Sequence, residues 1–160
     1  MSAKNKHDAQ RFKEFRNSKL HQNYEVLERL EAGISLVGTE IKSVRAGLVQ
    51  LADSFCRFSG DELWAYHVHI AEYSHGSFAN HDPVRPRKIL LHAKELRKWK
   101  QAVDQGGKVI VPVRLYFKKA LLKAEIALCT PKKQYDKRED LKKQEAKRDV
   151  ERAMSARFKR

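Results

Sequence analysis

The strongest constraint on the fold is a pair of neighbouring segments in which apolar and polar side chains alternate. Residues 121–129 have the two-residue period of a strand with one buried face and one wet face. The apolar face consists of Leu122, Ala124, Ile126 and Leu128. Residues 108–117 predict a second strand, in which Pro112 indicates an edge position or a bulge. We therefore expect an antiparallel sheet built around these two strands.

Further strands are predicted earlier in the chain. Residues 24–37 mix β-forming and charged side chains, and Gly33 within them indicates a bulge or a sharp bend. Residues 53–58 and 62–70 predict paired strands joined by a turn at 59–61. Several short strands with little helix are typical of a mainly β fold. We expect a small antiparallel barrel of the oligonucleotide-binding (OB) type, which leaves one face and its loops for nucleic acid.

Two helices are predicted between the strands. Thr39 is a plausible N-cap of a short helix, Glu40 follows in its first turn, and Gly47 stands where the helix should stop. Residues 88–104 carry apolar side chains at helical spacing, and glycines 106–107 should end that helix.

The charge of the chain is concentrated at its two ends and around residues 81–100. The formal net charge is +14, which favours a polyanionic partner. Residues 1–16 are predicted to be a flexible arm and 17–131 the barrel. The basic tail, residues 132–160, should be disordered when free and become a helix on a partner. Its periodic apolar side chains are Val150, Met154 and Phe158.

Several functional classes find no support in the sequence. His67 and His69 form an H-x-H pair, but no carboxylate or thiol stands at zinc spacing, so no metal is expected. Neither a Walker loop nor a G-x-S-x-G or H-E-x-x-H motif is present, so we expect no catalytic residues and no cofactor. The two cysteines, an absent secretory signal and the lack of a long apolar run predict a cytoplasmic protein that spans no membrane.

Several segments resemble the SmpB family of tmRNA-binding proteins. They are EAGISLVGTEIKSVRAG (31–47), its continuation at 48–53, HIAEY (69–73), RPRKILLHAKEL (85–96), the G-x-x-x-x-P-V-x-L-Y-F run (107–117) and KKQYDKRED (132–140). These motifs occur in order over nearly the whole chain, which makes the resemblance specific. One departure is Pro131, where the family usually has glycine, and it predicts a stiffer link into the tail.

The resemblance implies a six-stranded OB-like barrel with short flanking helices. It also implies that the protein binds the tRNA-like domain of tmRNA and delivers it to ribosomes stalled on messages without a stop codon. The nascent chain is then tagged for degradation. The tail would enter the empty mRNA channel near the decoding centre and fold there against rRNA. Such a protein catalyses no reaction and is expected to be a monomer when free.

The resemblance assigns RNA-binding residues to three segments. The first motif supplies Asn17, Lys19 and Tyr24. The edge around the short helix supplies Glu31, Gly38, Thr39, Glu40, Lys42, Ser43 and Arg45. A second RNA-facing segment supplies Arg87, Lys88, Leu91 and His92. The ribosome-binding tail begins with Lys132, Lys133, Tyr135, Asp136, Lys137 and Arg138 and ends with the apolar stripe of Val150, Met154 and Phe158.

Three points stay open at the level of sequence. Glu31 and Glu40 are either surface salt-bridge partners or acceptors for base amino groups, and periodicity does not choose between these. A general RNA-binding or ribosome-associated factor is an alternative to the tmRNA adaptor. An enzyme whose catalytic geometry is hidden in the sequence is the third alternative.

Overall fold

A computed structural model describes residues 14–76 and 79–158 of the chain. The strands are β1 (Glu14–Arg16), β2 (Tyr24–Ile34), β3 (Val49–Gln50), β4 (Phe55–Ser59), β5 (Glu62–Tyr66), β6 (His69–Ile70), β7 (Arg87–Leu90), β8 (Val109–Lys118) and β9 (Leu121–Pro131). The helices are α1 (Leu20–Asn23), α2 (Gly38–Arg45), α3 (Ala93–Asp104) and α4 (Gln134–Phe158).

Six strands close into a ring in the order β8, β4, β5, β7, β2 and β9, and β9 pairs again with β8. Every neighbouring pair in the ring is antiparallel. Outside the ring, β1 adds to β8, and β3 pairs with β6. The prediction of a mainly β, six-stranded antiparallel barrel is confirmed.

The β8–β9 hairpin follows the predicted alternation, with two local differences. The register shifts between Pro112 and Arg114, which places the expected bulge at this point of β8. The face of β9 that was expected to be wet is partly buried, because Ala127 and Cys129 pack with Leu20 in a second small core. The alternation predicted the inner face correctly but contained no sign that α1 would cover the outer one.

Strand β2 changes partner at Gly33. This residue is paired with Lys123 of β9 and also with Leu90 of β7. A Cβ atom at Gly33 would lie 3.2 Å from the Cβ of Leu90, so the close approach of the two strands favours glycine. The irregularity in β2 register lies elsewhere, between Val26 and Glu28.

The predicted helix over 88–104 is wrong in its first part. Residues Arg87–Leu90 form strand β7, which pairs with β5 on one side and β2 on the other. Ile89 fits a helical and an alternating pattern equally well, and the two neighbouring strands decide in favour of the strand. The helix begins at Ala93 and buries Trp99 completely in the barrel core. It ends as predicted before Gly106 and Gly107, which have φ values of 88° and 74°.

The β4–β5 hairpin is confirmed, with a shorter second strand than predicted. Gly60, with a φ of 60°, lies in the turn between Ser59 and Glu62. Strand β5 ends at Tyr66 because His67 adopts a φ of 56°, and the chain then resumes as β6.

Both ends of the chain differ from the predicted boundaries. The last residues of the predicted flexible arm form β1, in which Phe15 is buried. Residues 1–13 lie outside the described part of the structure. At the other end the structure has one long helix, α4, where the sequence predicted a tail disordered without a partner. Its lysine, arginine, glutamate, glutamine and alanine content gives high helix propensity, and disorder of the tail in the absence of a partner stays a prediction.

Candidate nucleic-acid interface

A buried carboxylate organises the edge around α2. The Glu40 side chain is fully buried, and its Oε1 accepts hydrogen bonds from Arg85 Nε and Arg87 Nε, both at 2.8 Å. Its Oε2 accepts from Arg85 Nη2 at 2.8 Å and from the backbone N–H of Val37 at 2.9 Å. The last contact caps the helix, so Val37 is the N-cap and the predicted N-cap, Thr39, lies within the first turn.

Arg87 is also fully buried and is held at three points. Besides Glu40, it donates to the carbonyl oxygens of Val68 at 2.5 Å and Pro83 at 3.1 Å. Burial alone would raise the pKa of Glu40, but the hydrogen bonds from Arg85 and Val37 and the charge of Arg87 outweigh it and lower the pKa. The cluster therefore stays charged, with one carboxylate between two guanidinium groups and a surplus of one positive charge.

Arg85 carries this surplus charge to the surface. Its side chain is about one third exposed, at 31%. It lines an open pocket at the start of α2 together with Val37, Gly38, Thr39, Lys42, Ala79, Asn80 and His81. Exposed Lys42 adds a second cation. Guanidinium, ammonium and the N–H groups of a helix start are the donors that proteins use for phosphate oxygens.

Part of the lining of this pocket is fixed by side chains that are distant from α2 in sequence. Buried His81 contacts the Thr39 hydroxyl through Nδ1 and the Ile70 carbonyl through Nε2, both at 2.9 Å. Because a carbonyl only accepts, Nε2 is the donor in the hydrogen bond to Ile70. The Asn80 side-chain amide accepts a hydrogen bond from the Tyr73 backbone N–H at 3.0 Å and donates one to the Tyr73 carbonyl at 2.7 Å.

Lys42 lies over an aromatic ring beside the pocket. Its Nζ is 5.3 Å from the centre of the Tyr73 ring, a cation–π distance. Tyr73 in turn meets the edge of His75. This arrangement places a cation beside two ring systems, which is a suitable surface for backbone phosphates and unpaired bases of an RNA.

The predicted residues of this edge separate into accessible and buried groups. Gly38, Lys42 and Arg45 are exposed, and Thr39 is half-buried. Glu40, Ser43 and Arg87 are fully buried, so their side chains hold the edge in place and do not reach an RNA directly in this conformation. The Ser43 hydroxyl has no hydrogen-bond partner among the described residues.

Glu31 lies on the outward face of β2. Its carboxylate accepts a hydrogen bond from the Tyr116 hydroxyl and pairs with Lys118 Nζ at 3.2 Å. These contacts correspond to the salt-bridge alternative for Glu31. Burial and the Glu31 carboxylate together raise the pKa of Tyr116 to about 12.

The second predicted RNA-facing segment lies on β7 and in the link between β7 and α3. Lys88 faces outward from β7 and pairs with Glu62 at 2.6 Å. Leu91 packs partly against the core, and His92 is exposed immediately before α3. The pocket beside α2 receives Arg85 from this part of the chain, two residues before the predicted Arg87.

The residues of the first motif make contacts within the protein. Asn17 is buried and donates to the Pro112 carbonyl at 3.1 Å, which ties the start of α1 to β8. Lys19 is exposed and pairs with Asp53 at 3.3 Å. Tyr24 begins β2 and packs partly against the second core.

The root of the tail is attached to α1. The Lys132 backbone N–H donates to the Asn23 carbonyl at 2.9 Å, and its Nζ donates to the His21 carbonyl at 2.8 Å and pairs with Asp140. Lys133, Asp136 and Arg138 are exposed, Lys137 is half-buried, and the Tyr135 side chain lies outside the described part of the structure. The stripe residues Val150, Met154 and Phe158 are 55%, 60% and 90% exposed.

Sequence reasoning missed Arg85, His81, Asn80 and Tyr73 as members of the site. Arg85 was within reach, because it lies in the RPRK run beside the predicted Arg87. Tyr73 lies in the HIAEY run (69–73), whereas His81 and Asn80 reach the pocket from a part of the chain with no such signal. Among residues 14–76 and 79–158, no cluster of three or more histidine, cysteine or acidic side chains is arranged to hold a metal ion. No helix in the same ranges is both long and apolar enough to cross a bilayer.

The closed ring and the cationic pocket define the class, a small antiparallel barrel of the OB type. The SmpB protein family matches residues 14–156, and the chain belongs to this family. The SsrA-binding protein of Carboxydothermus hydrogenoformans is 46% identical over 142 residues, which cover 89% of this chain and 95% of the relative. That of Bacillus cereus (strain AH820) is 48% identical over 143 residues, covering 89% and 92%.

The fold agrees with a solved structure as well. A chain in the structure described as "tmRNA-SmpB: a journey to the center of the bacterial ribosome" superposes with a TM-score of 0.63. It is 44% identical in sequence, and the match covers 78% of this chain and 86% of that chain.

Proposed function

We propose that this protein binds the tRNA-like domain of tmRNA and delivers it to stalled ribosomes, where translation resumes and the nascent chain is tagged. The observation that carries the proposal is the similarity to SsrA-binding proteins, at 46–48% identity over 89% of the chain. The similarity extends through the barrel and into the tail, since the family match ends at residue 156. The proposed partners are therefore tmRNA and the ribosome.

The pocket beside α2 supports this proposal by its chemistry. The Glu40 carboxylate orients Arg85. Lys42, which lies on α2, lines the same pocket as Arg85. Such cations position a folded RNA through its phosphates and contribute little base discrimination. Selectivity for a tRNA-like shape would then come from the fit of the barrel surface to a structured RNA.

The tail is proposed to enter the empty mRNA channel. Residues 132–160 contain twelve basic and six acidic side chains, a net charge of +6. As a helix of 25 residues, α4 is about 37 Å long at about 1.5 Å per residue. A long basic rod with one exposed apolar stripe suits a channel lined by RNA phosphates. Ribosomal RNA would neutralise the charge, and Val150, Met154 and Phe158 would pack there.

The protein is proposed to act as an adaptor and to catalyse no reaction. A ribosomal partner would place its work in the cytoplasm. Neither a cofactor nor a metal is needed for positioning by charge and shape.

Sequencing of the RNA that co-purifies with the protein from cells tests the proposal. We expect strong enrichment of tmRNA over tRNA and rRNA fragments. The double variant Arg85→Gln, Lys42→Gln should lose this enrichment. Lys119→Gln, which removes one charge at the exposed β8–β9 turn, is the control and should retain it. An unselective mixture of RNAs on the parent protein would refute tmRNA as its partner.

A further inference from the structure

The tail helix α4 meets the rest of the protein at its first two turns. Among its described side chains, those of Lys137 and Asp140 are half-buried, and all those from 141 to 158 are exposed. Two residues, Lys132 and Lys133, separate the end of β9 from the start of α4. The direction in which α4 leaves the barrel therefore depends on this short link and on the contacts of the first two turns.

Lys132 connects this link to the single turn of α1. Its backbone N–H donates to the Asn23 carbonyl at 2.9 Å, directly after the last register pair of β9 and β2, which is Pro131 with Tyr24. Its Nζ donates to the His21 carbonyl at 2.8 Å. The last carbonyl groups of a helix lack partners within the helix, so they need donors from elsewhere. Lys132 supplies two such donors and thereby caps α1.

The same ammonium group pairs with Asp140, in the second turn of α4. The Lys132 and Asp140 side chains are 21% and 33% exposed, so solvent screens this pair less than a pair of fully exposed side chains. Asp140 is the last residue of the KKQYDKRED motif (132–140), which therefore contains both members of the pair. One ammonium group thus bridges α1, through the His21 carbonyl, and α4, through the Asp140 carboxylate.

We infer that Lys132 and Asp140 form a latch that fixes the direction in which the first two turns of α4 leave the barrel. The helix cannot swing away from α1 unless Lys132 Nζ gives up the His21 carbonyl or the Asp140 carboxylate. A segment already held in its bound direction loses less entropy on binding, so the latch prepares the tail for entry into a channel. This consequence rests on the proposed function, whereas the latch itself does not. Residues beyond 141 lie outside the latch and can order separately on a partner.

Distances between two spin labels on the full chain test the latch directly. The labels are attached to Lys94→Cys on α3 and Lys142→Cys on α4, two exposed positions, while both native cysteines are buried. The protein with an intact latch should give one narrow distance distribution, and Asp140→Ala should broaden it. Asp149→Ala is the matched control, because Asp149 pairs with Arg152 of the same helix at 3.8 Å, and it should keep the distribution narrow.

The two alanine variants separate the latch from helix propensity. Alanine raises helix propensity at both positions, so broadening confined to Asp140→Ala cannot come from a weaker helix. The inference is overturned by an equally narrow distribution in Asp140→Ala, or by a broad distribution in the protein with an intact latch.

Tagging on stalled ribosomes measures the consequence for function. Asp140→Ala should lower the tagging rate by about two- to fivefold, the range for the loss of one surface ion pair, with tmRNA affinity unchanged. Asp140→Glu, which keeps the charge, and Asp149→Ala should both tag at the parent rate. Parent-rate tagging by Asp140→Ala would show that the latch does not position the tail. Failure of the parent protein to bind tmRNA would refute the proposed function, while the label distances would still decide whether the latch exists.

Discussion

Glu40 and Arg87, 47 residues apart in sequence, form an ion pair in which both side chains are fully buried. The pair connects the first turn of α2 to strand β7, so the position of the α2 pocket depends on the barrel. Arg85, on the same carboxylate, is the member that reaches solvent. The structure thus separates the residues that hold the pocket from those that face a ligand.

Removing the Glu40 carboxylate should destabilise the protein strongly. Glu40→Ala leaves Arg87 buried without a counter-charge, and breaking such a pair by removing one partner costs about 3–5 kcal/mol.

The parent protein should also lose stability in acid. The lowered pKa of Glu40 gives a contribution to stability that is complete above the ordinary carboxyl pKa, 4.5, and is lost as the pH falls through the lower pKa of the folded state.

Urea unfolding of the parent and Glu40→Gln at pH 7 and pH 3 measures both effects. The difference in the free energy of unfolding between the two proteins should be large at pH 7 and smaller at pH 3. A difference that does not change with pH would contradict the assignment of this acid sensitivity to Glu40.

Removing the charge of Glu31 should lower the pKa of Tyr116. The value of about 12 arises from burial and from the Glu31 carboxylate, which disfavours a nearby tyrosinate. In Glu31→Gln the pKa should fall toward the ordinary value of about 10. Tyrosinate absorbance, with Tyr116→Phe identifying the transition, measures the shift. An unchanged value would show that burial alone sets it.

Lys42→Gln should weaken binding of the tRNA-like RNA and flatten its salt dependence. One lost phosphate contact reduces the slope of log affinity against log salt by about one unit. Anisotropy titrations from about 50 to 200 mM salt give the slope. If affinity falls with no change in slope, Lys42 acts through its packing on Tyr73 and not through a phosphate.

Interrupting α4 should separate RNA binding from tagging. Deletion of residues 132–160 removes no ring strand, so tmRNA binding should survive while tagging on stalled ribosomes is lost. Val150→Pro should reproduce the deletion, because proline breaks the helix without changing its charge. Val150→Ala keeps the helix and should retain most tagging. Normal tagging by the Val150→Pro protein would mean that only the charge of the tail matters.

Several elements of the fold follow from local signals in the sequence alone. The alternation in 121–129, the Gly60 turn, the stop at Gly106 and the bulge beside Pro112 depend on a few neighbouring side chains. The ordered motifs, from 31–47 to 132–140, also indicated the family. Such patterns can be read without knowing what lies across the sheet.

Other features depend on contacts between residues that are distant in sequence, and these are visible only in the folded protein. Residues Arg87–Leu90 are a strand because β5 and β2 lie on either side of them, although their spacing also suits a helix. Glu40 and Arg87 are charged residues that sequence places at the surface, and they are buried because each neutralises the other. His81 and Arg85 join the pocket only because the segment after β6 returns to α2, a long-range contact that no local pattern encodes.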